Sequence, residues 1–330
     1  MSGNAPEIPI VAVDAMGGDH GPSVVVPGAV EALRGEDGFQ ITLYGDGDAV
    51  ESALREAGAA GLPVEIIHCS QDIEMGESPA AAIRAKPDSP IARAMKDHRE
   101  GRVHAVVSAG STGAMVAASL LMLGRLPGVD RPAIGTVIPT YDSRFLLLDA
   151  GANVQCTPQH LLAFAAMGSV YCREILDIPA PRVGLLNIGE EPGKGSDLTV
   201  AANGLLQDSG LNFIGNIEGR SLLFDAADIV VTDGFTGNIV LKMIEGFGGF
   251  LHQAASRTVA GGGGNRLQGL LTRMDYASTG GALLLGVAGS IIISHGSSSS
   301  RAMANAVRVA RRLADCAMPD RIAAALVDQG

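Results

Sequence analysis

Short apolar runs alternate with segments of helical periodicity along most of this chain. The short runs are rich in valine, isoleucine and leucine, which indicates buried strands, and the longer segments between them indicate helices. The predicted strands cover residues 9–13, 40–44, 64–68, 103–107, 145–148, 182–186, 229–231 and 290–293. The predicted helices include residues 23–33, 89–98, 114–123, 197–206 and 301–316. This alternation predicts an α/β fold with a doubly wound, mainly parallel sheet and helices on both faces.

The clearest of these strand–loop–helix units covers residues 228–242. A buried strand at residues 229–231 ends on Asp233, and Gly234 and Gly237 then bracket a predicted tight loop. We expect Asn238 to cap a helix that starts at Ile239. Because free backbone N–H groups and the helix dipole both favour negative charge at a helix start, such a unit is suited to binding an anion.

Polar residues stand at the ends of most predicted strands. They are Asp14, Ser108, Asp149, Asn187, Asp233 and His295. In open parallel sheets, ligands bind beyond the carboxyl ends of the strands. The sequence therefore predicts a binding site built from these loops, with Asp14, Asn187 and His295 as expected substrate contacts.

The chain is predicted to be a single domain, 1–330, with a helical insertion at about residues 247–276. A run of glycines at 261–264 precedes Leu267, Leu270, Leu271 and Met274, which share one helical face beside two arginines. That pattern suits a membrane surface or a partner groove. Ordinary core packing of a helix accounts for the same spacing, so both interpretations stay open.

Composition narrows the classes of function. The net charge of −11 argues against a nucleic-acid partner, which needs a basic face. The four cysteines have no CxxC spacing, so we expect reduced thiols rather than a zinc site. The amino-terminal segment lacks signal-like features and no apolar run is long enough to span a bilayer, so we predict a cytoplasmic protein. A cluster of basic side chains would suit an acidic partner, although a solvated helix face is the simpler explanation of it. The members of the cluster are Arg84, Lys86, Arg93, Lys96, Arg99 and Arg102.

The common nucleotide and hydrolase motifs are absent. The stretch 189–195 has the wrong spacing for a P-loop, residues 45–50 do not form a dinucleotide fingerprint, and the chain has neither GxSxG nor HExxH. What remains is anion binding. Gly110, Ser111, Thr112 and Gly113 predict a backbone cradle for phosphate at a helix start, which we call the 110–113 loop. Lys194 supplies a cation in a glycine-rich loop, although an exposed loop lysine is the commoner case.

Several stretches together resemble the bacterial phosphate acyltransferase (PlsX) family. They occur in the family's order, and together they are highly specific. The stretches are VAVDAMGGDHGP at 11–22, SAGSTGA at 108–114, LDAGAN at 148–153, LLNIGEE at 185–191 followed by Lys194-Gly195, GNIEG at 215–219, DGFTGN at 233–238, and 280–298. The chain departs from the family pattern at three positions, where Ser111 and Ala288 replace asparagine and Leu283 replaces proline.

The resemblance implies a reaction in which acyl-[acyl carrier protein] and inorganic phosphate give acyl phosphate and free carrier protein. It also implies a three-layer αβα sandwich like that of isopropylmalate dehydrogenases and phosphotransacetylases, with no metal or cofactor. The expected partners are the acyl carrier protein, a second copy of the chain in a homodimer, and a peripheral contact with the membrane or with a membrane glycerol-3-phosphate acyltransferase.

The residues are assigned to steps of this reaction as hypotheses. We expect Gly110, Ser111, Thr112 and Gly113 to bind phosphate, and Lys194 to contact phosphate or the developing oxyanion. Asp233 and Asn238 are expected to position the thioester or to protonate the leaving thiol. Three alternatives remain: a short-chain phosphotransacetylase that uses coenzyme A, a dehydrogenase of the isopropylmalate type, and a non-catalytic scaffold at the membrane surface.

Overall fold

The computed structural model describes residues 8–259 and 280–327. Its strands are β1 Ile10–Asp14, β2 Gln40–Gly45, β3 Val64–His68, β4 Ala105–Ser108, β5 Ala133–Pro139, β6 Arg144–Leu148, β7 Val183–Asn187, β8 Phe213–Glu218, β9 Ile229–Val231, β10 Ala282–Leu285 and β11 Ile291–Ile293. Its α-helices are α1 Pro22–Gly35, α2 Gly47–Glu56, α3 Pro79–Ala85, α4 Pro90–Arg99, α5 Thr112–Ala118, α6 Pro158–Glu174, α7 Asp197–Gln207, α8 Gly234–Val259, α9 Ser300–Asp315 and α10 Met318–Val327. These elements confirm the predicted α/β class with its mainly parallel sheet.

The described residues divide into two compact units. Unit 1 comprises residues 8–126 and 280–320, and unit 2 comprises residues 127–259 and 321–327. The predicted insertion begins inside α8, which runs without a break to Val259. Leu267, Leu270, Leu271 and Met274 lie outside the described residues.

Unit 1 is built on strands in the order β3-β2-β1-β4-β11-β10. All neighbouring pairs are parallel except β10 and β11. The chain runs outward from β1 to β3 and then returns to the other side of β1 at β4, which makes the gap between β1 and β4 a topological switch point. Residues Val11, Ala12 and Val13 of β1 are fully buried, as expected for a central strand covered on both faces.

The helices of unit 1 pack on its sheet and on one another. Helix α4 contacts β1, β2 and β4, whereas α9 contacts β1, β4 and β11 and packs along α1. Gly28 in α1 allows this close approach, because a Cβ there would lie 2.6 Å from Cβ of Met303. The sheet and these helices fix the loops that follow β1, β4 and β11.

Unit 2 has strands in the order β5-β6-β9-β7-β8. Strands β5 and β6 form an antiparallel pair, and the other neighbours are parallel. Helix α6 packs on β6 and β9. It starts with a capping box in which Thr157 and His160 exchange hydrogen bonds between side chain and backbone. The carboxyl ends of β6, β9 and β7 therefore carry their loops on one edge of this unit.

The structure differs from the sequence prediction at the start of α8. The helix begins at Gly234, not at Ile239, so Asn238 lies within the helix and does not cap it. Asp233 is the cap: its carboxylate accepts hydrogen bonds from N of Thr236 at 2.9 Å and from Oγ1 of Thr236 at 2.8 Å. Gly234 and Gly237, from which the sequence predicted a loop, pack so closely against the loop that contains Asp149 that a side chain at either position would not fit.

No helix within residues 8–259 and 280–327 is both long enough and apolar enough to cross a membrane.

Candidate active site

Asp14 ends β1 and is 3% exposed. Its Oδ1 accepts hydrogen bonds from N of Met16 and N of Gly17, both at 3.1 Å. Its Oδ2 accepts one from Oγ of Ser108 at 2.6 Å. Burial raises the pKa of Asp14 to about 6, against the opposing effect of these hydrogen bonds. The carboxylate therefore holds its own loop and reaches the neighbouring strand.

Ser108 ends β4 and is fully buried. Its hydroxyl donates to Asp14 and accepts a hydrogen bond from N of Gly110 at 2.9 Å. The loops after β1 and β4 touch through their backbones, because a Cβ on Gly17 would lie only 2.7 Å from N of Gly110. One buried carboxylate and one hydroxyl thus join the two loops at the switch point.

The 110–113 loop lies at the start of α5, as predicted. Ser111 is the N-cap residue, and its Oγ accepts a hydrogen bond from N of Ala114 at 3.3 Å. Thr112 is exposed. Gly113 packs against α3, since a Cβ there would lie 2.7 Å from Cγ of Pro79. The first N–H groups of a helix have no acceptor within it, so this loop offers donors to an anion.

A cavity of about 200 Å³ opens beside these loops in unit 1. It is bounded by the β1 loop, by Gly110 and by the start of α4. Its lining combines the carboxylates of Asp14, Asp72 and Glu74 with apolar side chains that include Ile73, Met75 and Ile91. Burial raises the pKa of Asp72. Within the described residues, no group of three or more His, Cys, Asp or Glu side chains is arranged to hold a metal ion.

The loop after β11 reaches the same edge of unit 1. N of Asp19 donates to the carbonyl of Gly296 at 2.8 Å. His295 is exposed, and its Nδ1 lies 2.8 Å from Oγ of Ser297. The structure thus brings Asp14, the 110–113 loop and the segment that carries His295 to one end of parallel strands.

Asp149 forms a comparable centre in unit 2 and is fully buried. Its Oδ1 accepts from N of Ile134 at 3.0 Å, from N of Gly151 at 3.1 Å and from N of Ala152 at 3.0 Å. Its Oδ2 accepts from N and Nδ2 of Asn153 at 2.7 and 2.9 Å. From the sequence, Asp149 was visible as a polar strand end and as part of the LDAGAN stretch, but neither observation showed how many backbone N–H groups its carboxylate binds.

The start of α8 packs directly against the Asp149 loop. A Cβ on Gly237 would lie 1.9 Å from the carbonyl oxygen of Asp149, and one on Gly234 would lie 2.7 Å from Oδ2 of Asp149. Asn238 is exposed beside Gly151, whose own Cβ would lie 3.5 Å from Oδ1 of Asn238. Asp233 and Asn238 therefore lie next to the Asp149 loop, as the order of the strands requires.

Asn187 and Lys194 lie in one loop between β7 and α7. Nδ2 of Asn187 donates to the carbonyl of Lys194 at 2.8 Å, and Oδ1 of Asn187 accepts from N of Ile188 at 2.8 Å. Gly195 follows with φ of +101°, where a side chain would collide with Asn187 and Thr199. The exposed Lys194 has no ion pair among the described residues. Asn187 therefore shapes the loop that presents this lysine.

Two amides that sequence analysis did not single out fix the same loop. Nδ2 of Asn216 donates to the carbonyl of Glu191 at 2.8 Å, and Nδ2 of Asn203 donates to Oδ1 of Asn216 at 2.9 Å. Both asparagines are buried. Asn216 belongs to the GNIEG stretch, which was the available signal for it.

Half of the predicted basic cluster is neutralised locally. Lys86 pairs with Glu77 at 2.5 Å, and Arg93 pairs with Asp88 at 2.7 Å. Arg102 pairs with Asp97. Arg84, Lys96 and Arg99 are the members of the cluster without an ion pair among the described residues.

Solved structures with a similar architecture show the fold. A phosphotransacetylase from Streptococcus pyogenes has a TM-score of 0.64 at 19% identity and covers 93% of this chain and 94% of that one. The EutD phosphotransacetylase from Staphylococcus aureus has a TM-score of 0.63 at 17% identity, with the same coverage. The chain thus has the αβα fold of phosphotransacetylases.

Sequence comparison gives the family. The model of the family described as "Fatty acid synthesis protein" matches residues 10–321. The phosphate acyltransferase of Heliobacterium modesticaldum is 50% identical over 92% of this chain and 93% of its own length. That of Desulforamulus reducens is 48% identical over 91% and 92%. The chain therefore belongs to the phosphate acyltransferase family and is an enzyme, which confirms the resemblance found in its motifs.

Proposed function

We propose that this enzyme transfers the acyl group of acyl-[acyl carrier protein] to inorganic phosphate. A phosphate oxygen attacks the thioester carbonyl, and a tetrahedral intermediate forms. The carbon–sulfur bond then breaks, so that acyl phosphate and the carrier-protein thiol leave, the thiolate taking up the proton that the attacking hydrogen phosphate loses. The acyl phosphate serves phospholipid synthesis. Family membership supports the acyl transfer to phosphate, and the choice of carrier protein as donor is our proposal.

The observation that carries this proposal is the 110–113 loop. Its first-turn N–H groups are free of helical acceptors, and Ser108 and Asp14 hold the backbone that leads into it. Fixed donors of this kind bind phosphate and also stabilise an oxyanion without reorganising during the reaction.

Three of the four cysteines are poorly suited to form an acyl-cysteine intermediate, which favours direct attack by phosphate. Burial raises the pKa of Cys69 and Cys172 to about 12 and that of Cys156 to about 11. These thiols therefore stay protonated near neutral pH and are poor nucleophiles. Phosphate needs no such activation, because it is already an anion.

The acidic cavity beside the 110–113 loop suits an uncharged part of a substrate. Carboxylates at Asp72 and Glu74 repel a phosphate dianion, whereas they accept hydrogen bonds from amide N–H groups. The neighbouring Ile73, Met75 and Ile91 favour apolar groups. We therefore place phosphate at the loop and not inside the cavity.

In unit 2, Lys194 and Asn238 keep their proposed roles, whereas that of Asp233 changes. Lys194 contacts phosphate or the oxyanion, and its exposure leaves the ammonium group accessible. Asn238 is exposed beside the Asp149 loop and can donate to a thioester carbonyl. The carboxylate of Asp233 is occupied by Thr236, which favours positioning of α8 over proton transfer for this residue.

Partners follow from the same proposal. The exposed Arg84, Lys96 and Arg99 offer positive charge to an acidic carrier protein.

Helix α8 carries an exposed apolar stripe, which we propose is covered by a second copy of the chain in a homodimer. Its members are Phe235, Ile239, Met243, Phe247 and Phe250. A peripheral membrane contact is a further proposal.

The deciding experiment measures release of carrier protein from a long-chain acyl carrier, with and without inorganic phosphate. We expect release that requires phosphate and a product that hydroxylamine traps as a hydroxamate. Phosphate-independent release indicates a thioesterase, and activity with acetyl-coenzyme A alone indicates a short-chain phosphotransacetylase. Absence of turnover with the acyl carrier contradicts the proposal.

Replacement of Lys194 tests the cation. We expect Lys194→Ala to lower kcat/KM for phosphate by about tenfold to a hundredfold, because a charge-assisted contact is lost. Lys242→Ala is the matched control, since this exposed lysine in unit 2 pairs with Glu245 at 2.8 Å and lies outside the proposed contacts. Equal rates for native protein and both variants remove Lys194 from the mechanism.

A further inference from the structure

The carboxylate of Asp14 is committed to protein donors although it borders the cavity. Oδ1 serves Met16 and Gly17 of its own loop, and Oδ2 serves Ser108. With the residue 3% exposed, little of its hydrogen-bonding capacity is left for a substrate. We therefore expect Asp14 to act through the groups that it holds.

The hydroxyl of Ser108 passes this constraint to the next loop. A hydroxyl has one hydrogen, and here that hydrogen is given to Asp14. A lone pair is consequently directed to N of Gly110, which donates at 2.9 Å. Without the carboxylate the hydroxyl is free to rotate, and Gly110 loses a fixed acceptor.

The packing leaves little room for the loop to move independently. Gly17 lies against N of Gly110, where even a Cβ would come within 2.7 Å. Gly110 directly precedes Ser111, the N-cap residue of α5. A shift of Gly110 therefore changes the direction of the donors in the first turn of α5.

Unit 2 repeats part of this device without the second loop. Oδ1 of Asp149 accepts from the N–H groups two and three residues later, Gly151 and Ala152, as Oδ1 of Asp14 does from Met16 and Gly17. Oδ2 of Asp149, however, accepts from the nearby Asn153. In unit 1, by contrast, Oδ2 of Asp14 accepts from Ser108, and Ser108 in turn holds the loop proposed to bind phosphate.

We propose that Asp14 and Ser108 are positioning residues that set the phosphate affinity of the 110–113 loop. This inference rests on the proposed function. Neither residue contacts substrate. The carboxylate of Asp14 orients the hydroxyl of Ser108, the hydroxyl fixes Gly110, and the position of Gly110 sets the direction of the N–H groups in the first turn of α5.

The test compares Ser108→Ala and Asp14→Asn with Ser119→Ala. Ser119 is a matched control, because it is a fully buried serine of unit 1 whose hydroxyl donates to the carbonyl of Met115 at 2.7 Å. We expect each positioning variant to raise KM for phosphate about tenfold, the usual effect of a lost hydrogen bond. KM for the acyl thioester changes less than about twofold, and the control changes neither value.

A binding measurement on folded variants tests the inference without depending on turnover. Calorimetric titration with inorganic phosphate is expected to show weaker binding in both variants, and the double variant is expected to bind no more weakly than the worse single one. Native-like phosphate affinity in folded Ser108→Ala overturns the inference while leaving the proposed function standing. Failure of the native protein to bind phosphate overturns both.

Discussion

At the scale of single residues, two buried aspartates hold the loops of the candidate site. Asp149 accepts hydrogen bonds from five donors and Asp14 from three. A buried carboxylate keeps its charge only as far as donors replace the water that it has lost. For Asp14 burial prevails over its hydrogen bonds, and its pKa rises to about 6.

That shift predicts how stability depends on pH. The folded pKa of Asp14 lies above its ordinary value of 3.8, so the folded state binds the proton more tightly and its contribution to stability falls as pH rises from about 4 to about 6. We expect Asp14→Asn to remove this slope. The free energy of unfolding of the variant, relative to native protein, should grow by up to about 3 kcal/mol between pH 4 and pH 7.

Urea unfolding at a series of pH values measures this difference. Other groups titrate in the same range in both proteins, so the comparison isolates Asp14. Parallel curves for the two proteins contradict a raised pKa at this residue.

Helix α8 shows what decides structure at the scale of one element. Gly234 and Gly237 have low helix propensity, which is why the sequence predicts a loop there. In the structure both are helical, and glycine is required at 237 because any side chain there collides with the backbone of Asp149. A contact between residues far apart in sequence thus overrides the local preference, and no local pattern reveals it.

The cap of α8 gives a prediction at this scale. We expect Asp233→Ala to lower the free energy of unfolding by about 1 kcal/mol, because N of Thr236 loses its acceptor. Asp233→Asn keeps an acceptor oxygen and should retain most of the native stability. Chemical denaturation measures both. If Asp233 acts as a proton donor, Asp233→Asn abolishes turnover despite normal stability; as a positioning residue, it keeps most of the rate.

The elements themselves are largely predictable, and the links between them are not. Apolar runs placed strands such as β3 and β9 and helices such as α7 within about two residues of their observed bounds. Strands β5, β8 and β10 were not predicted, and in β5 and β8 glycine and polar residues interrupt the apolar pattern. The positions of Asp14 and Ser108 were visible, but their hydrogen bond joins residues 94 apart in sequence.

At the scale of the whole molecule, α8 leaves a large apolar surface exposed on the chain. Met243 is 71% exposed and Phe250 is 63% exposed. Side chains of this size stay exposed in a row only rarely on a monomer, and such surfaces mark interaction sites. The matching surface on a second copy would bury both.

We therefore expect the combined Met243→Glu and Phe250→Glu substitutions to shift the protein from dimer to monomer in sedimentation equilibrium. Phe224→Glu is the control, since Phe224 is 74% exposed in unit 2 outside α8. A native monomer, or a variant that stays dimeric, contradicts the assignment of this stripe to a homodimer. Loss of vesicle binding without loss of the dimer assigns it to the membrane.

The late return of the chain to unit 1 has a consequence during synthesis. Strand β11 pairs with β4, and α9 packs along α1, although most of unit 2 is translated between them. The strands of unit 2 are therefore complete on the ribosome while unit 1 still lacks one edge of its sheet. Until Ser300–Asp315 emerges, the nascent chain displays the apolar face that α9 later covers, and chaperones have their longest opportunity to bind the half that was made first.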